Sequence, residues 1–335
     1  MPQRLKLLTQ WLETVVEGDD YEITTASEDA SFRRYYRVTK SAPKPDGSVD
    51  SLIVMDAPPD KENSEPFIKI SSLLAKIGVN APHVIEADTS QGFLLLSDLG
   101  SEPYLDALNE QTVEALYTDA LDALLRMQRD APRDDKILPP YDHALLLREM
   151  ELFREWYLRR HCNLLLTVQQ QEQLDSVFQL LAESALAQPK VFVHRDYHSR
   201  NLMVTSDNNP GILDFQDAVI GPVTYDLVSL LRDCYIEWPR DQVEQWALAY
   251  LHRAAEAGVF EITADITDDV LLRWFDWMGV QRHLKASGIF ARLYLRDGKS
   301  GYLGDIPRTL NYVRDVCLRY EELKSLHELL ETLDD

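Results

Sequence analysis

The sequence predicts an α+β protein of two lobes, with a small antiparallel sheet in the N-terminal lobe and a larger, mainly helical C-terminal lobe. The chain has 335 residues, which is enough for about two domains. Short segments rich in β-branched and aromatic residues lie before Gly100, and long segments with helical apolar spacing follow it. We therefore expect one domain over residues 1–99 and a second over residues 100–335.

The N-terminal lobe begins with a helix and continues mostly as strands. Apolar residues recur at helical spacing from Leu5 to Val16, which predicts an amphipathic helix, and again from Glu65 to Ile77. Five short apolar or β-branched segments predict strands, at residues 21–25, 35–39, 51–55, 83–87 and 93–96. Together they predict a small sheet with the helix from Glu65 to Ile77 packed on it.

The C-terminal lobe is predicted to be helical except in its middle. Long segments with helical spacing lie at residues 112–128, 142–160 and 169–187, and the pattern is again mostly helical from Pro239 onward. The exception is residues 191–215. This segment combines apolar, strand-like stretches with a cluster of polar residues and a run of turn-forming residues from Ser206 to Gly211.

Composition excludes several classes of protein. Lysine and arginine number 34 against 56 aspartates and glutamates, for a formal charge of −22, and such a surface repels nucleic acid and anionic membranes. The 3 cysteines are widely spaced and cannot all pair within the chain, which favours a reducing compartment. No apolar run approaches the ~20 residues of a membrane span, and no secretory signal follows Met1. We expect a cytoplasmic monomer whose partner is a small molecule.

The polar residues of the exceptional segment suit phosphoryl transfer. If residues 202–205 and 212–215 pair as a hairpin, Asn201 and Asp214 fall side by side, with Asp196 on the loop that leads in. Phosphoryl transfer needs a carboxylate to accept a hydroxyl proton and oxygen ligands for Mg²⁺. Asp196 suits the first role, and Asn201 and Asp214 suit the second.

The same residues resemble a known family. The pattern His194-x-Asp196-x-His198-x-x-Asn201, followed by Ile212-Leu213-Asp214-Phe215, resembles the catalytic loop and metal-binding aspartate of the aminoglycoside phosphotransferases, which are relatives of the protein kinases. Gly221-Pro222-x-x-Tyr225-Asp226-Leu227 is similar to that family's continuation. The resemblance implies a protein-kinase-like fold, with ATP and Mg²⁺ as cofactors. It also implies that residues 1–99 bind the nucleotide and that residues 100–335 carry catalysis and substrate binding.

Three further segments resemble one group within this family, at residues 30–37, 52–59 and 281–285. This group consists of bacterial kinases that phosphorylate N-acetylmuramate and N-acetylglucosamine at C1 during cell-wall recycling. The resemblance implies an amino-sugar acceptor that contacts Asp196 and His198. N-acetylmuramate carries a carboxylate, for which cations are natural partners. Arg282, His283 and Lys285 are the candidates for that role, and an exposed, solvated helix face is the alternative interpretation of the same residues.

The nucleotide-binding side departs from the kinase pattern. The turn at residues 28–32 has no glycine, so the hydroxyl of Ser31 and the charges of Arg33 and Arg34 are the expected phosphate contacts. The backbone around Asp98 and Leu99 is expected to hold the adenine edge. Met55 stands where the third strand of a kinase usually supplies a lysine, and residues 51–60 contain no arginine to replace it. We expect an arginine from a loop to take over that role.

Several alternatives remain open at this stage. In the first alternative, the same phosphoryl transfer has an aminoglycoside, choline, homoserine or a ketosamine as its acceptor instead of an N-acetyl amino sugar. The missing lysine also suits a module that binds ATP without turnover, or a helical interaction protein with a vestigial loop. A zinc hydrolase is a weaker alternative, because the other 6 histidines are scattered. Two residues have structural expectations: His194 braces the loop, and Asp226 holds it through backbone N–H groups.

Overall fold

The computed structural model describes residues 3–16, 20–28, 32–43 and 49–333. The chain forms two compact units. The first unit consists of Met1–Glu102 and Leu202–Asp217, and the second of Pro103–Asn201 and Ala218–Asp335. The predicted division of roles between residues 1–99 and 100–335 stays a prediction.

The first unit contains a five-stranded antiparallel sheet, as predicted. Its strands are β1 (Tyr21–Glu28), β2 (Arg34–Pro43), β3 (Val49–Asp56), β4 (Val84–Asp88) and β5 (Phe93–Ser97). They lie in the order β1-β2-β3-β5-β4. The register pairs Tyr36 with Val54 and Val54 with Leu95 across the three central strands. The strand segments expected from β-branched and apolar composition therefore all appear within this sheet.

Two helices pack on this sheet, where the sequence predicts one. Helix α1 (Gln3–Val15) buries Leu8 and Leu12 against strand residues that include Val54 and Leu95. Helix α2 (Glu65–Lys76) contacts β4. Side chains alternate between the two faces of a strand, and β5 has buried residues at four successive positions, so both of its faces are covered.

The hairpin predicted in the exceptional segment forms, but its strands are short. They are β7 (Leu202–Met203) and β8 (Gly211–Ile212), with Leu202 opposite Ile212. The hairpin is held to the first unit by main-chain hydrogen bonds from Ile212 N to Asn80 O at 2.8 Å and from Val204 N to Glu102 O at 2.8 Å. The ring of Phe215 packs on Phe67 of α2, with centroids 4.7 Å apart. These contacts explain why the hairpin is part of the first unit.

The second unit is mainly helical, with one short sheet. Its α-helices are α3 (Tyr104–Ala107), α4 (Val113–Asp130), α5 (His143–Leu152), α6 (Val168–Ala187), α7 (Tyr225–Leu231), α8 (Arg240–Glu256), α9 (Asp268–Asp297), α10 (Ile306–Cys317) and α11 (Lys324–Glu331). The strands β6 (Lys190–Val193) and β9 (Val219–Pro222) pair antiparallel. The predicted helix at residues 142–160 changes character within its length, because α5 continues as a π-helix over Phe153–His161.

No described helix combines the length and apolar composition that a bilayer crossing requires. The cytoplasmic location, the monomeric state and the exclusion of nucleic acid stay predictions.

Helix α9 approaches the junction between α5 and the π-helix very closely. A Cβ atom added at Gly288 would lie 2.3 Å from the carbonyl carbon of Leu152 and 2.5 Å from the amide nitrogen of Phe153. Real Cβ atoms do not come this near to a neighbouring backbone. The other glycine of α9, Gly279, is less crowded, since the nearest neighbour of an added Cβ atom would be Val228 Cγ1, in ordinary contact at 3.7 Å.

We therefore expect opposite effects from the same substitution at these two positions. Gly288→Ala forces two backbones apart and destabilises the protein by about 1–3 kcal/mol or more. Gly279→Ala adds a methyl group in ordinary contact and gains about 0.5–1 kcal/mol from helix propensity. Thermal melting of both variants checks this. A Gly288→Ala variant that melts with or above Gly279→Ala would contradict the close packing of α9.

Candidate active site

The loop from His194 to Asn201 follows β6 and carries the polar motif. Its first turn is held by the carboxylate of Asp226, in the first turn of α7. Asp226 Oδ2 accepts the backbone N–H of His194 at 2.6 Å, and Oδ1 accepts that of Arg195 at 2.9 Å. Asp226 is completely buried. The prediction that Asp226 holds the loop through backbone N–H groups is confirmed.

This anchoring stabilises an unfavourable backbone conformation. Arg195 has φ of 80°, in the left-handed region that a residue with a side chain rarely occupies. Such a conformation persists only where surrounding contacts enforce it. Its N–H is bound by Asp226, and its guanidinium group pairs with Glu149 of α5. The chain is therefore held on both the backbone and the side chain, directly before Asp196.

A second buried carboxylate holds the far end of the loop. Asp233 follows α7, and its side chain is 1% exposed. Asp233 Oδ2 accepts the N–H of Ser199 at 2.9 Å, and Oδ1 accepts the N–H of Tyr235 at 3.0 Å. The loop is thus fixed at both ends by carboxylates that flank one short helix.

The Asp196 carboxyl lies between these anchors in a strongly charged environment. Asp196 is partly exposed to solvent. Burial by itself would raise the pKa of Asp196, but the positive charges of Lys285 and Arg195 outweigh it and lower the pKa below its ordinary value. Asp196 is therefore ionised at neutral pH, which is the state that a proton acceptor requires.

Glu149 organises the cations around Asp196. It is 5% exposed. Its Oε1 pairs with Arg195 and, at 3.1 Å, with Nζ of Lys285, and its Oε2 accepts the hydroxyl of Tyr141. Lys285 Nζ also donates to the hydroxyl of Tyr225 at 2.9 Å. The two cations that lower the Asp196 pKa are thus held by one buried glutamate.

The two histidines of the motif have different surroundings. His194 Nδ1 accepts the backbone N–H of Asp196 at 3.3 Å, and its ring lies edge-on to Tyr197. This agrees with the expectation that His194 braces the loop. His198 is edge-on to Tyr235, with centroids 5.3 Å apart, and its Nδ1 is buried with no hydrogen-bond partner among the described residues. Burial lowers the pKa of His198, so its ring is neutral.

The two predicted metal ligands belong to different units. Asn201 ends a stretch of the second unit, and its Nδ2 donates to the carbonyl of Asp196 at 3.0 Å, which orients the amide. Asp214 belongs to the first unit, and its carboxylate accepts the Nε2–H of Gln216 at 2.7 Å. Asp214 has φ of 61°, again in the left-handed region. Their side-by-side placement stays a prediction.

The predicted phosphate contacts are described in part. Ser31 lies outside the described residues. Arg33 is mostly buried and pairs with Glu62 at 3.2 Å, while Glu62 also accepts the backbone N–H of Phe32 at 3.1 Å. Arg34, the first residue of β2, is exposed.

The predicted adenine-binding residues, Asp98 and Leu99, lie directly after β5 on a segment that is held by hydrogen bonds. Arg37 binds both oxygens of Asp98, at 2.6 and 3.1 Å, and the carbonyl of Gly100 at 2.8 Å. Burial raises the pKa of Asp98, but the hydrogen bonds of Arg37 and Ser51 lower it more, and the net shift is downward. The Leu99 side chain packs against Gly211 of β8.

Met55 occupies the expected lysine position as an apolar core residue. It is fully buried, and its neighbour Asp56 is paired with Arg4 of α1. Arg33 directly follows the predicted phosphate-binding turn at residues 28–32, and its guanidinium group pairs with Glu62. Arg33 therefore remains our candidate for the missing cation.

The three cations predicted on α9 separate into different environments. Lys285 joins the Glu149 network. His283 Nε2 contacts the carbonyl of Arg232 at 2.8 Å, its ring stacks on Tyr312, and burial lowers its pKa to about 3. Its ring is neutral and already in contact with protein groups, so His283 does not supply a positive charge for a carboxylate. Arg282 is 6% exposed and donates to Cys234 Sγ at 3.7 Å.

Sequence reasoning does not identify Glu149, Asp233 or Arg37. Glu149 lies 46 residues from Arg195 along the chain, and nothing in the local pattern of α5 distinguishes it. The one available signal is that Glu149 lies on the same helix face as the buried Leu146 and Met150. A charged residue is rarely buried without a partner, so this position indicates that Glu149 has one.

Within the described ranges, no group of three or more histidine, cysteine, aspartate or glutamate side chains is arranged to hold a metal ion. The zinc hydrolase alternative therefore lacks a ligand set in this part of the chain.

Comparisons with known proteins agree with the motif. The family model described as "Phosphotransferase enzyme family" matches residues 22–262. An N-acetylmuramate/N-acetylglucosamine kinase of Pseudomonas putida is 48% identical, over 98% of this chain and 96% of the relative. A kinase of the same name from Neisseria meningitidis is 46% identical, over 99% and 96%. The choline kinase structure from Cryptosporidium parvum has a TM-score of 0.63 at 12% identity, covering 99% of this chain and 100% of that chain, and shows the fold alone.

The charge environment of the loop gives a prediction that can be tested without an activity assay. Replacing Lys285 by Met removes the largest positive influence on Asp196, so the pKa of Asp196 rises. Carbon-13 NMR titration of aspartate-labelled protein measures it, with Asp196→Asn to assign the signal. Lys324→Met, at an exposed lysine of α11, is the control and leaves the titration unchanged. An Asp196 pKa that is equal in wild type and Lys285→Met would contradict the charge environment described here.

Proposed function

The chain belongs to the phosphotransferase enzyme family, and on that premise we propose that it transfers the γ-phosphoryl group of ATP to the C1 hydroxyl of N-acetylmuramate and N-acetylglucosamine. The activity named for the two bacterial relatives supports the choice of substrates. One structural observation carries the proposal. Asp196 is an ionised carboxylate on a loop fixed at both ends, with its pKa held down by buried cations.

Asp196 acts as the general base. Its carboxylate accepts the proton of the sugar's C1 hydroxyl as that oxygen attacks the γ-phosphorus of ATP. The bond between the γ-phosphorus and the oxygen that bridges to the β-phosphate breaks, and ADP leaves with that oxygen. A base with a low pKa suits this reaction, because the transition state is loose and the proton moves late.

The neighbouring groups position the acceptor and the base. His198 has a neutral ring whose Nδ1 has no hydrogen-bond partner among the described residues, which suits a hydrogen bond to a hydroxyl group of the sugar. Lys285 keeps Asp196 ionised and is itself held by Glu149 and Tyr225. We assign Lys285 to positioning and charge rather than to direct contact with the sugar.

The donor chemistry of Asn201 and Asp214 fits Mg²⁺, which prefers amide and carboxylate oxygens and keeps few protein ligands when it binds with nucleotide phosphates. When bound, Mg²⁺ neutralises the charge of the phosphates.

Arg33 and the backbone near Asp98 and Leu99 are the proposed nucleotide contacts. Arg33 supplies the positive charge that Met55 cannot, and Glu62 holds its guanidinium group. The bond from Arg37 to Asp98 fixes the strand that ends before Leu99.

The central test replaces Asp196 by Asn. The amide cannot accept the proton, so kcat for both sugars falls by about 10²–10⁴-fold, while ATP still raises the melting temperature. ADP release is measured with each sugar, with kanamycin and with choline as acceptors. Asp135→Asn, at an exposed acid outside the loop, is the matched control and retains full activity.

Two outcomes would refute the proposal in different ways. Turnover of kanamycin or choline, with none of either amino sugar, would assign the site to another acceptor. Stabilisation by ATP without ADP release from any acceptor, in wild type and Asp196→Asn alike, would indicate a nucleotide-binding module.

A further inference from the structure

Arg282 of α9 is a nearly buried cation that has no carboxylate partner among the described residues. Its side chain is 6% exposed. A guanidinium group has five N–H donors. Among the described residues, Arg282 makes one hydrogen bond, from Nη1 to the thiol of Cys234 at 3.7 Å, and its buried Nε has no partner. Thiols are weak acceptors. The other buried cations of this region are better satisfied, since Arg195 and Lys285 both pair with Glu149.

The contact with Cys234 places Arg282 beside the far end of the catalytic loop, because Cys234 directly follows Asp233, which binds the N–H of Ser199. The charge of Arg282 lowers the pKa of His198, and the charges of Asp196 and Asp233 in turn act on Arg282. The described residues show no ion pair between Arg282 and Asp233, whose two oxygens accept the N–H groups of Ser199 and Tyr235. Among the described residues, Arg282 therefore has unused N–H donors beside the end of the loop that carries His198 and Ser199.

Buried N–H donors cost folding free energy unless a hydrogen-bond acceptor binds them. The two proposed substrates differ in one relevant group. N-acetylmuramate carries a lactyl carboxylate on the oxygen at C3, two carbons from the reacting C1, whereas N-acetylglucosamine has a plain hydroxyl there. A carboxylate matches a guanidinium group in charge and in planar geometry.

We propose that Arg282 binds the carboxylate of N-acetylmuramate and determines how strongly the enzyme prefers this sugar over N-acetylglucosamine. The inference rests on the proposed function and adds a residue-specific origin of substrate preference to it. Lys285 is excluded from this role because Glu149 and Tyr225 already occupy its ammonium group. His283 is excluded because its ring is neutral and contacts Arg232 and Tyr312.

The test compares the two sugars in Arg282→Gln. We expect kcat/KM for N-acetylmuramate to fall by about 10–100-fold, mostly through KM, and that for N-acetylglucosamine to change by less than about 3-fold. Arg282→Lys keeps the charge but loses the planar fork, so it recovers part of the N-acetylmuramate activity. Arg292→Gln, further along the same helix, is the matched control and leaves the preference unchanged.

A substrate-side experiment keeps the inference testable if the variants fold poorly. The carboxamide of N-acetylmuramate lacks the charge, so wild type loses about the same 10–100-fold with it, while Arg282→Gln treats acid and amide alike. An equal loss for both sugars in Arg282→Gln, or no difference between acid and amide in wild type, would overturn the assignment. If wild type phosphorylates neither sugar, the proposed function itself fails.

Discussion

Two buried carboxylates at the ends of one short helix hold the catalytic loop, and the chemistry depends on them. Asp226 accepts the two N–H groups at the start of the loop, and Asp233 accepts an N–H near its end. A buried carboxylate is tolerated only when its oxygens are hydrogen-bonded, so each anchor and the backbone it binds stabilise one another. Together with the pair between the Arg195 guanidinium and Glu149, they keep Arg195 in the left-handed conformation that precedes Asp196.

The charge balance around the loop is built from residues distant in sequence. Glu149 of α5 holds Arg195 of the loop and Lys285 of α9, and these cations keep Asp196 ionised despite its partial burial. The helices must therefore pack closely, and Gly288 permits the contact between α9 and the end of α5. Packing, charge and reactivity are in this way consequences of the same arrangement of helices.

Much of the fold and the motif are predictable from local sequence patterns. Apolar periodicity predicts α1, α2 and the strands of the sheet, and the spacing of His194, Asp196 and Asn201 identifies the loop. Glu149 and Asp233 escape prediction because their roles arise from tertiary contacts that no local pattern encodes. Tertiary contacts also explain why Arg282, His283 and Lys285 differ. They are neighbours in sequence, but successive residues of a helix point in different directions and so contact different partners. The short hairpin strands also reflect tertiary context, since their backbone bonds go partly to Asn80 and Glu102.

The most direct measurement of the central claim follows the oxygen atom at C1. N-acetylglucosamine labelled with oxygen-18 at the anomeric hydroxyl is incubated with the enzyme, ATP and Mg²⁺, and the product is analysed by phosphorus-31 NMR. If the C1 oxygen attacks the γ-phosphorus, the label lies between carbon and phosphorus, and the anomeric phosphate signal shows the isotope shift. A phosphate on any other hydroxyl of the sugar, or an anomeric phosphate without the label, would contradict the account.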